Sequence, residues 1–512
     1  MAKNIRKKEN EVVNGVFFGL QIAGSALLLW SVFHAFFLPN IYKLIIGLLV
    51  VALALFSTFL MLKRKGRRPV KWLKNTFVTM LATTFCAVGI FIPVFDVRFR
   101  EMLTPPTEGA LLVDVICLND KKFNDKAELL DGVLAVQTSF DKENQDYAIH
   151  FIQNELKGEL RIQEFADFDS ALAALYAGKV DFVLMNESYF NIVSENNEAF
   201  ANLAEEVKIV FQVKKIIAFE TIVSDANVTK KPFNILLLGQ NEKKTTVSDR
   251  TNTDVIMVVT VNPSTKQVLM TSFPRDAYVS VPYSSMKDKM THASTRGTSE
   301  MVKTVQSYLG IQIHFYIRVN YISLINLVDA VGGVTVDNPY TFRAVYSTYK
   351  NTFKEGILEL DGAQALDYVR ERKEACGGDM GRNEHQRIVL DALVKKVSTP
   401  SMLINFNKLM SAVEGNYLTN FTADQIYSLV KMQLNDLASW EIMQVGLKGD
   451  PANDFCASMP SKELSVVKVY EVDRLKAIEN IKALMNGKKL TPEQVKLPDH
   501  PNSYFNQGKN CK

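Results

Sequence analysis

Residues Arg250–Pro282 read RTNTDVIMVVTVNPSTKQVLMTSFPRDAYVSVP. DVIMVVTVN and QVLMTSFP are apolar, β-branched runs with the polar turn NPSTK between them. That pattern predicts two buried strands joined by a turn. Charge sits at the strand ends. Arg250 and Asp254 precede or open the first strand, and Arg275-Asp276 follows the second. In α/β folds ligands bind outside the carboxyl ends of strands, and Arg275-Asp276 occupies such an end.

Outward from this stretch the same alternation continues. FNILLLG before it and HFYIRVN after it read as strands. SEMVKTVQSYLG places Met301, Val302, Val305, Tyr308 and Leu309 on one helical face and stops at Gly310. YISLINLVDAVGG is a second helix, closed by two glycines. The expectation is an α/β domain over 231–448, helical from about Thr399, with a C-terminal extension over 449–512. Upstream, 111–224 also alternates strand and helix, predicting a small α/β accessory domain with a largely parallel sheet. Within it, FADFDSALAALYAGKVDFVLMNES resembles the solute-binding proteins of bacterial transport systems, without a signature motif. A ligand-binding module and a plain spacer both remain open for it. Residues 97–110, with Pro105-Pro106, read as a stalk.

The first 96 residues are different. Three apolar segments, Val13–Leu38, Ile41–Leu62 and Thr76–Phe95, each reach the ~20 residues that cross a bilayer. Lys3, Arg6, Lys7 and Lys8 precede the first, and KRKGRRPVKWLK separates the second from the third. Basic segments stay cytoplasmic, which predicts a multi-pass membrane protein with a cytoplasmic N-terminus and the bulk of the chain outside.

A net charge of +4 over 512 residues argues against a protein built wholly around nucleic acid. The cytoplasmic parts, a tail and one loop, hold no DNA-binding fold. Five cysteines without CxxC, and six scattered histidines without HExxH, give no support to a zinc site. One disulfide, Cys376–Cys456, is conceivable outside the membrane.

The densest positive charge lies at Tyr368–Arg387, YVRERKEACGGDMGRNEHQR, with Arg370, Arg372, Arg382 and Arg387. Guanidinium forks suit phosphate, since each gives paired, charge-assisted hydrogen bonds. With Arg275, Lys289 and nearby carboxylates they describe a polyanion site, with magnesium bridging carboxylate and phosphate as one option. A set of surface ion pairs is the alternative. Read singly, His292 is a structural hydrogen-bonder, His385 a solvated side chain, and Arg387 the partner of a neighbouring acid.

Three stretches carry a specific likeness: Arg250–Pro282, LVDAVGGVTVDN, and LDGAQALDYVRERKEACGGDMGRNEHQR. Together they resemble the LytR-CpsA-Psr family of bacterial cell-envelope proteins, over roughly Lys231 to Leu393. The three-span anchor with an added outer domain resembles its capsule-type members. The resemblance implies an enzyme that moves a glycopolymer from an undecaprenyl-pyrophosphate carrier onto peptidoglycan or another envelope acceptor, through a phosphodiester. It implies a phosphate site of Arg275, Lys289, Arg370, Arg372, Arg382 and Gln386, with Arg275, Asp276, Arg370 and Arg372 as the catalytic group. It further implies Mg2+ held with the help of Asp254, and an apolar tunnel for the polyprenyl chain. This sequence departs from the family in three places. Asn241, with Glu242 beside it, stands where many members carry a metal-binding aspartate; Asn252 replaces an arginine; Thr291 replaces an asparagine. A polyprenyl-pyrophosphate-binding regulator and a pyrophosphatase are the other readings these residues leave open.

Overall fold

The computed structural model describes residues 2–500 apart from 36–37, 39, 63–67, 105, 139, 221, 241–246, 346–350, 373–377, 400 and 403–405. Contacts divide the chain into two compact units, Met1–Thr104 with Thr422–Leu437, and Pro105–Phe421 with Ala438–Lys512.

The first unit holds the helices Ala2–His34, Asn40–Leu62 and Arg68–Leu103. Their segments Gly15–His34, Asn40–Met61 and Trp72–Leu103 are long and apolar enough to cross a membrane. Leu48, Leu55 and Phe91 are exposed on them, as suits side chains that meet lipid. The third helix runs on to Leu103, through residues 97–103 that the sequence suggested as stalk. The helix Ala423–Asp436 belongs to this unit too, and Arg100 Nη1 reaches its Asp424 Oδ1 at 3.5 Å.

The second unit is mixed α/β. Its accessory sheet contains β1 (Glu108–Leu118), β2 (Val133–Gln137), β3 (Arg161–Phe165), β4 (Phe182–Asn186) and β5 (Val207–Ala218), in the order β3-β2-β4-β1-β5. β2 runs parallel to β3 and β4, but β1 is antiparallel to β4 and β5. The sheet is therefore mixed, not largely parallel. β1 brings the chain in and β5 takes it out; pairing Glu108 with Ala218 closes the domain at one point. Alternation of strands and helices along a sequence does not reveal that closure.

The larger sheet has six strands. β6 (Phe233–Gln240), β7 (Thr253–Asn262) and β8 (Gln267–Ser272) form its antiparallel centre. Phe315–Val319 and then Tyr417–Thr419 extend it beyond β6, and Glu441–Gly446 beyond β8. The predicted turn closes β7 onto β8 with Lys266 at φ 55°. The helix Thr298–Leu309 buries Met301, Val302, Val305 and Leu309 against the sheet and ends on Gly310 at φ 59°, a conformation that glycine adopts without a Cβ penalty.

Beyond Thr399 the chain is not simply helical. Besides the strands Tyr417–Thr419 and Glu441–Gly446 it forms the hairpin Gly449–Cys456 with Met459–Val469, followed by the helix Glu471–Met485. GDPANDFC is poor in strand-favouring residues, so pairing, not propensity, makes it a strand. The hairpin's Cys456, Met459, Leu464 and Val466 share one core with Ile116, Phe168, Tyr189 and Phe200 of the accessory domain. Cys456 has a buried free thiol, and Cys376 lies outside the described residues.

His385 is fully buried, contrary to the expectation of a solvated side chain. It lies on the helix Asp379–Val397, stacks on Phe342 at 4.4 Å and contacts Tyr368 at 4.5 Å; its Nε2 is 3.0 Å from the Tyr340 hydroxyl. Burial pushes its pKa down to about 3.

Two predictions follow from this packing. Leu464→Ala, which empties part of the shared core, should cost about 2–4 kcal/mol of stability by denaturant titration of the whole chain. His385 has a depressed folded-state pKa against about 6.5 when unfolded, so the unfolded chain binds the extra proton between those values. Stability should therefore fall as pH drops below about 6.5, by up to ~1.4 kcal/mol per unit. His385→Phe should flatten that slope in urea melts compared at about pH 7 and pH 5.

Candidate functional site

β7 and β8 are antiparallel, with Met257 opposite Ser272. Carrying that register past the end of β8 sets Asp254 opposite Arg275. The Phe273 N–H donates to Ile256 O at 3.0 Å, which extends the pairing in that direction. Arg275 Nη1 then donates to Asp254 Oδ1 at 2.6 Å.

Neighbouring segments hold this end of the sheet. The Thr291 hydroxyl donates to Thr253 O at 2.9 Å and accepts from Thr253 N–H at 3.1 Å, while Thr291 N–H donates to Arg275 O at 2.9 Å. Thr291, one of the departures from the family pattern, thus ties both strand ends together. Arg318, wholly buried, donates through Nη2 to Thr251 O at 2.8 Å and through Nη1 to Thr298 Oγ1 at 3.2 Å.

A charged cluster forms on this frame. Tyr321 donates its hydroxyl to Asp254 Oδ2 at 3.1 Å, and Arg382 Nη1 stands 4.0 Å from Asp254 Oδ1. Burial works against ionisation of Asp254, but Arg382 and Arg275 outweigh it and hold the carboxyl below its ordinary range. Asp276 lies 3.4 Å from Lys289 Nζ and 3.7 Å from Arg275 Nε. Burial opposes its ionisation too, and Lys289 followed by Arg275 brings its pKa down to about 2. Arg370, the last residue of the helix Gly362–Arg370, stacks over the Tyr321 ring at 4.6 Å. The structure thus brings Asp254, Arg275, Asp276, Lys289 and Arg382 into one contact network and adds Arg370 through Tyr321.

The remaining sequence candidates are placed differently. Gln386 is buried one helical turn beyond Arg382. Arg372 is exposed, just past Glu371, where the chain is extended at φ −66° and ψ 128°. Among the described residues, neither has an ion pair or hydrogen bond to the cluster. Arg387 is half-buried; Glu384 acts on it only through space, and its hydrogen bond goes to Ser272 Oγ at 2.6 Å, at the end of β8. A Cβ on Gly446 would collide with its guanidinium, so a glycine there makes room for it. Asn241 and Glu242 lie outside the described residues.

His292 keeps a structural role. Its Nδ1 lies 2.7 Å from both Asp288 Oδ1 and Ser458 Oγ, all buried. A nucleophilic triad needs serine and carboxylate on opposite ring nitrogens, and here both meet Nδ1. The group fastens the 449–469 hairpin beside Lys289, whose N–H donates to Asp288 Oδ1 at 2.8 Å.

Magnesium prefers oxygen ligands, commonly one or two carboxylates plus phosphate oxygens. Asp254 and Asp276 have that chemistry, and the buried Asn252 Oδ1 has no hydrogen-bond partner among the described residues. No group of three or more His, Cys, Asp or Glu side chains among the described residues forms a cage. The donor set fits a cation shared with a phosphate ligand, not one enclosed by protein alone. A cavity of about 700 Å³ is lined by Asp141, Glu143, Arg250, Arg296 and Lys303 among others, a polar lining unsuited to a polyprenyl chain.

Sequence reasoning missed Tyr321 and Arg318. A tyrosine at a helix start and an arginine within the strand HFYIRVN were the available signals. It also missed Glu195 and Asn196, which belong to the accessory domain and meet Arg275 and Lys289 at 3.0 Å and 2.7 Å. Nothing in the local sequence marks them.

Comparison with known proteins places this arrangement. Residues 184–486 match the model of the LytR_cpsA_psr family. The chain is 37% identical over 234 residues to a polyisoprenyl-teichoic acid–peptidoglycan teichoic acid transferase TagU of Bacillus mycoides, covering 45% of this chain and 75% of that protein. It is 33% identical over 256 residues to the TagU of Bacillus anthracis, covering 50% and 82% respectively. Among solved structures, TagV of B. subtilis aligns at 27% identity with a TM-score of 0.43, over 51% of this chain and 99% of that one. With more than half its length matched by the family model, the chain belongs to the LytR_cpsA_psr family.

Proposed function

We propose that the chain is a membrane-anchored transferase that moves a glycopolymer from an undecaprenyl-pyrophosphate carrier onto peptidoglycan or a similar envelope acceptor. The observation that supports this most is the cluster of Arg275, Lys289 and Arg382 around Asp254 and Asp276 at the end of β8, in a chain whose relatives are named teichoic acid transferases.

In this reading an acceptor hydroxyl attacks the phosphorus next to the sugar. The bond between the two phosphates breaks, polyprenyl phosphate leaves, and a phosphodiester joins glycopolymer to acceptor. The hydroxyl proton passes to a carboxylate of the site. Arg275 and Lys289 bind the two phosphates and neutralise charge that grows on the leaving oxygen; preorganised cations act most strongly in such a water-poor site. Arg382 adds charge at the same Asp254 oxygen that Arg275 meets, and Tyr321 fixes the carboxylate's second oxygen. Arg370, stacked on Tyr321, and the exposed Arg372 guide the glycan-phosphate end into place. Asp254, with Asp276 near it, would help to hold magnesium, which would supply further positive charge to the phosphates. The three apolar helices anchor the enzyme, and the basic segment between the second and third keeps that loop cytoplasmic. The domains after them then face the polymer and the wall.

The purified full-length chain in detergent, given a polyprenyl-pyrophosphate-linked saccharide, peptidoglycan fragments and magnesium, should form the linked product. Absence of both binding and transfer would exclude the reading. Arg275→Lys, which keeps a cation beside buried Asp254 but removes the guanidinium fork, should lower kcat/KM by roughly 100-fold or more; Arg275→Ala should lower it as far and also lower the melting temperature, because it strands Asp254 without its partner. Tyr321→Phe, which removes only the hydroxyl on Asp254, should cost about threefold to tenfold in kcat.

A further inference from the structure

The accessory-domain helix Phe190–Asn196 ends at the charged cluster. Glu195 Oε2 lies 3.0 Å from Arg275 Nη2, and Lys289 Nζ donates to Asn196 Oδ1 at 2.7 Å. Two consecutive residues of one domain thus engage two cations of the other. The Arg275 guanidinium then meets a different carboxylate at each nitrogen: Asp254 at Nη1, Glu195 at Nη2 and Asp276 at Nε, at 2.6, 3.0 and 3.7 Å.

This arrangement constrains any phosphate that binds Arg275. Its oxygens need the same N–H groups, so a carboxylate has to give way. The three are not equally placed. Asp254 and Asp276 project from the sheet end, have side chains 11% and 21% exposed, and are held by Tyr321 and Lys289 respectively. Glu195 comes from another domain, near the end of a short helix, and its side chain is 33% exposed. It is the carboxylate that can swing into solvent without disturbing the sheet end. Charge points the same way. With Arg370 stacked on Tyr321, four cations face the three carboxylates Asp254, Asp276 and Glu195, and release of Glu195 raises the net charge that an arriving pyrophosphate meets from +1 to +2.

We infer that Glu195 determines the affinity of the site for the donor: it occupies the place of a phosphate oxygen on Arg275 Nη2 and is displaced when the donor binds. Asn196 beside it positions Lys289. The accessory domain is thereby a wall of the donor site. The inference rests on the reading of the cluster as a pyrophosphate site.

The test is isothermal titration of the full-length chain in detergent with inorganic pyrophosphate and magnesium. Glu195→Gln keeps the side chain's shape and removes its charge; it should bind pyrophosphate about fivefold to tenfold more tightly than the unsubstituted chain. Glu195→Asp, which keeps the charge, should gain far less, and Glu195→Ala provides a second neutral variant should the glutamine fold poorly. In turnover, Glu195→Gln should lower KM for the lipid-linked donor with kcat largely retained. Equal or weaker pyrophosphate binding by both neutral variants, while the unsubstituted chain binds, overturns the inference and leaves the donor-site reading standing. A collapse of kcat at constant KM also overturns it, because that marks a proton acceptor. Failure of every form to bind pyrophosphate removes the donor-site reading and the inference together.

Discussion

The antiparallel pairing of β7 with β8 is the constraint on which the site depends. It places the start of one strand beside the end of the other, so Asp254 and Arg275 meet although twenty residues separate them in the chain. Both side chains are nearly buried, and a buried charge is tolerated only with a partner. The pair is a weak source of stability, because desolvation consumes most of its Coulombic gain. Its effect is positional. Thr291 binds the β7 end to the Arg275 backbone, and Arg318, on the strand beyond β6, clamps Thr251, so the guanidinium is fixed before any ligand arrives.

The same economy of position explains the C-terminal hairpin. Its inner residues complete the accessory core, and its Ser458 joins the buried pair Asp288 and His292 on either side of Lys289 in the chain. One element thereby fixes the accessory domain and the lysine of the site together. The same attachment accompanies the contacts of Glu195 and Asn196 with the cluster.

Much of this was legible from the residues. Alternating apolar runs located the central strands, and helical periodicity located the buried face of Thr298–Leu309. The Arg275-Asp276 pair stood out because charge follows a strand directly. The rest depended on long-range pairing. β1 against β5 made the accessory sheet mixed, and GDPANDFC became a strand only through its partner. Glu195 and Asn196 were invisible for the same reason: their significance lies in what another domain brings to them, and no local pattern encodes a contact across eighty residues.

The arginine-rich stretch shows how a helix divides a cluster of similar residues. On Asp379–Val397, Arg382 and Gln386 are four apart and so project from one side, with Arg382 facing Asp254. His385 points instead into the aromatic packing of Tyr340, Phe342 and Tyr368, where its neutral ring is favoured. Arg387 turns to Ser272 and fixes the helix against the end of β8. A charge excess that reads as one phosphate-binding motif therefore has two tasks. Arg382 supplies positive potential at the site, while Arg387 and His385 hold the helix at the height where Arg382 can reach it. Because the helix is docked through Ser272, at the strand end that leads to Arg275, the two arginines that flank Asp254 are positioned from a common point.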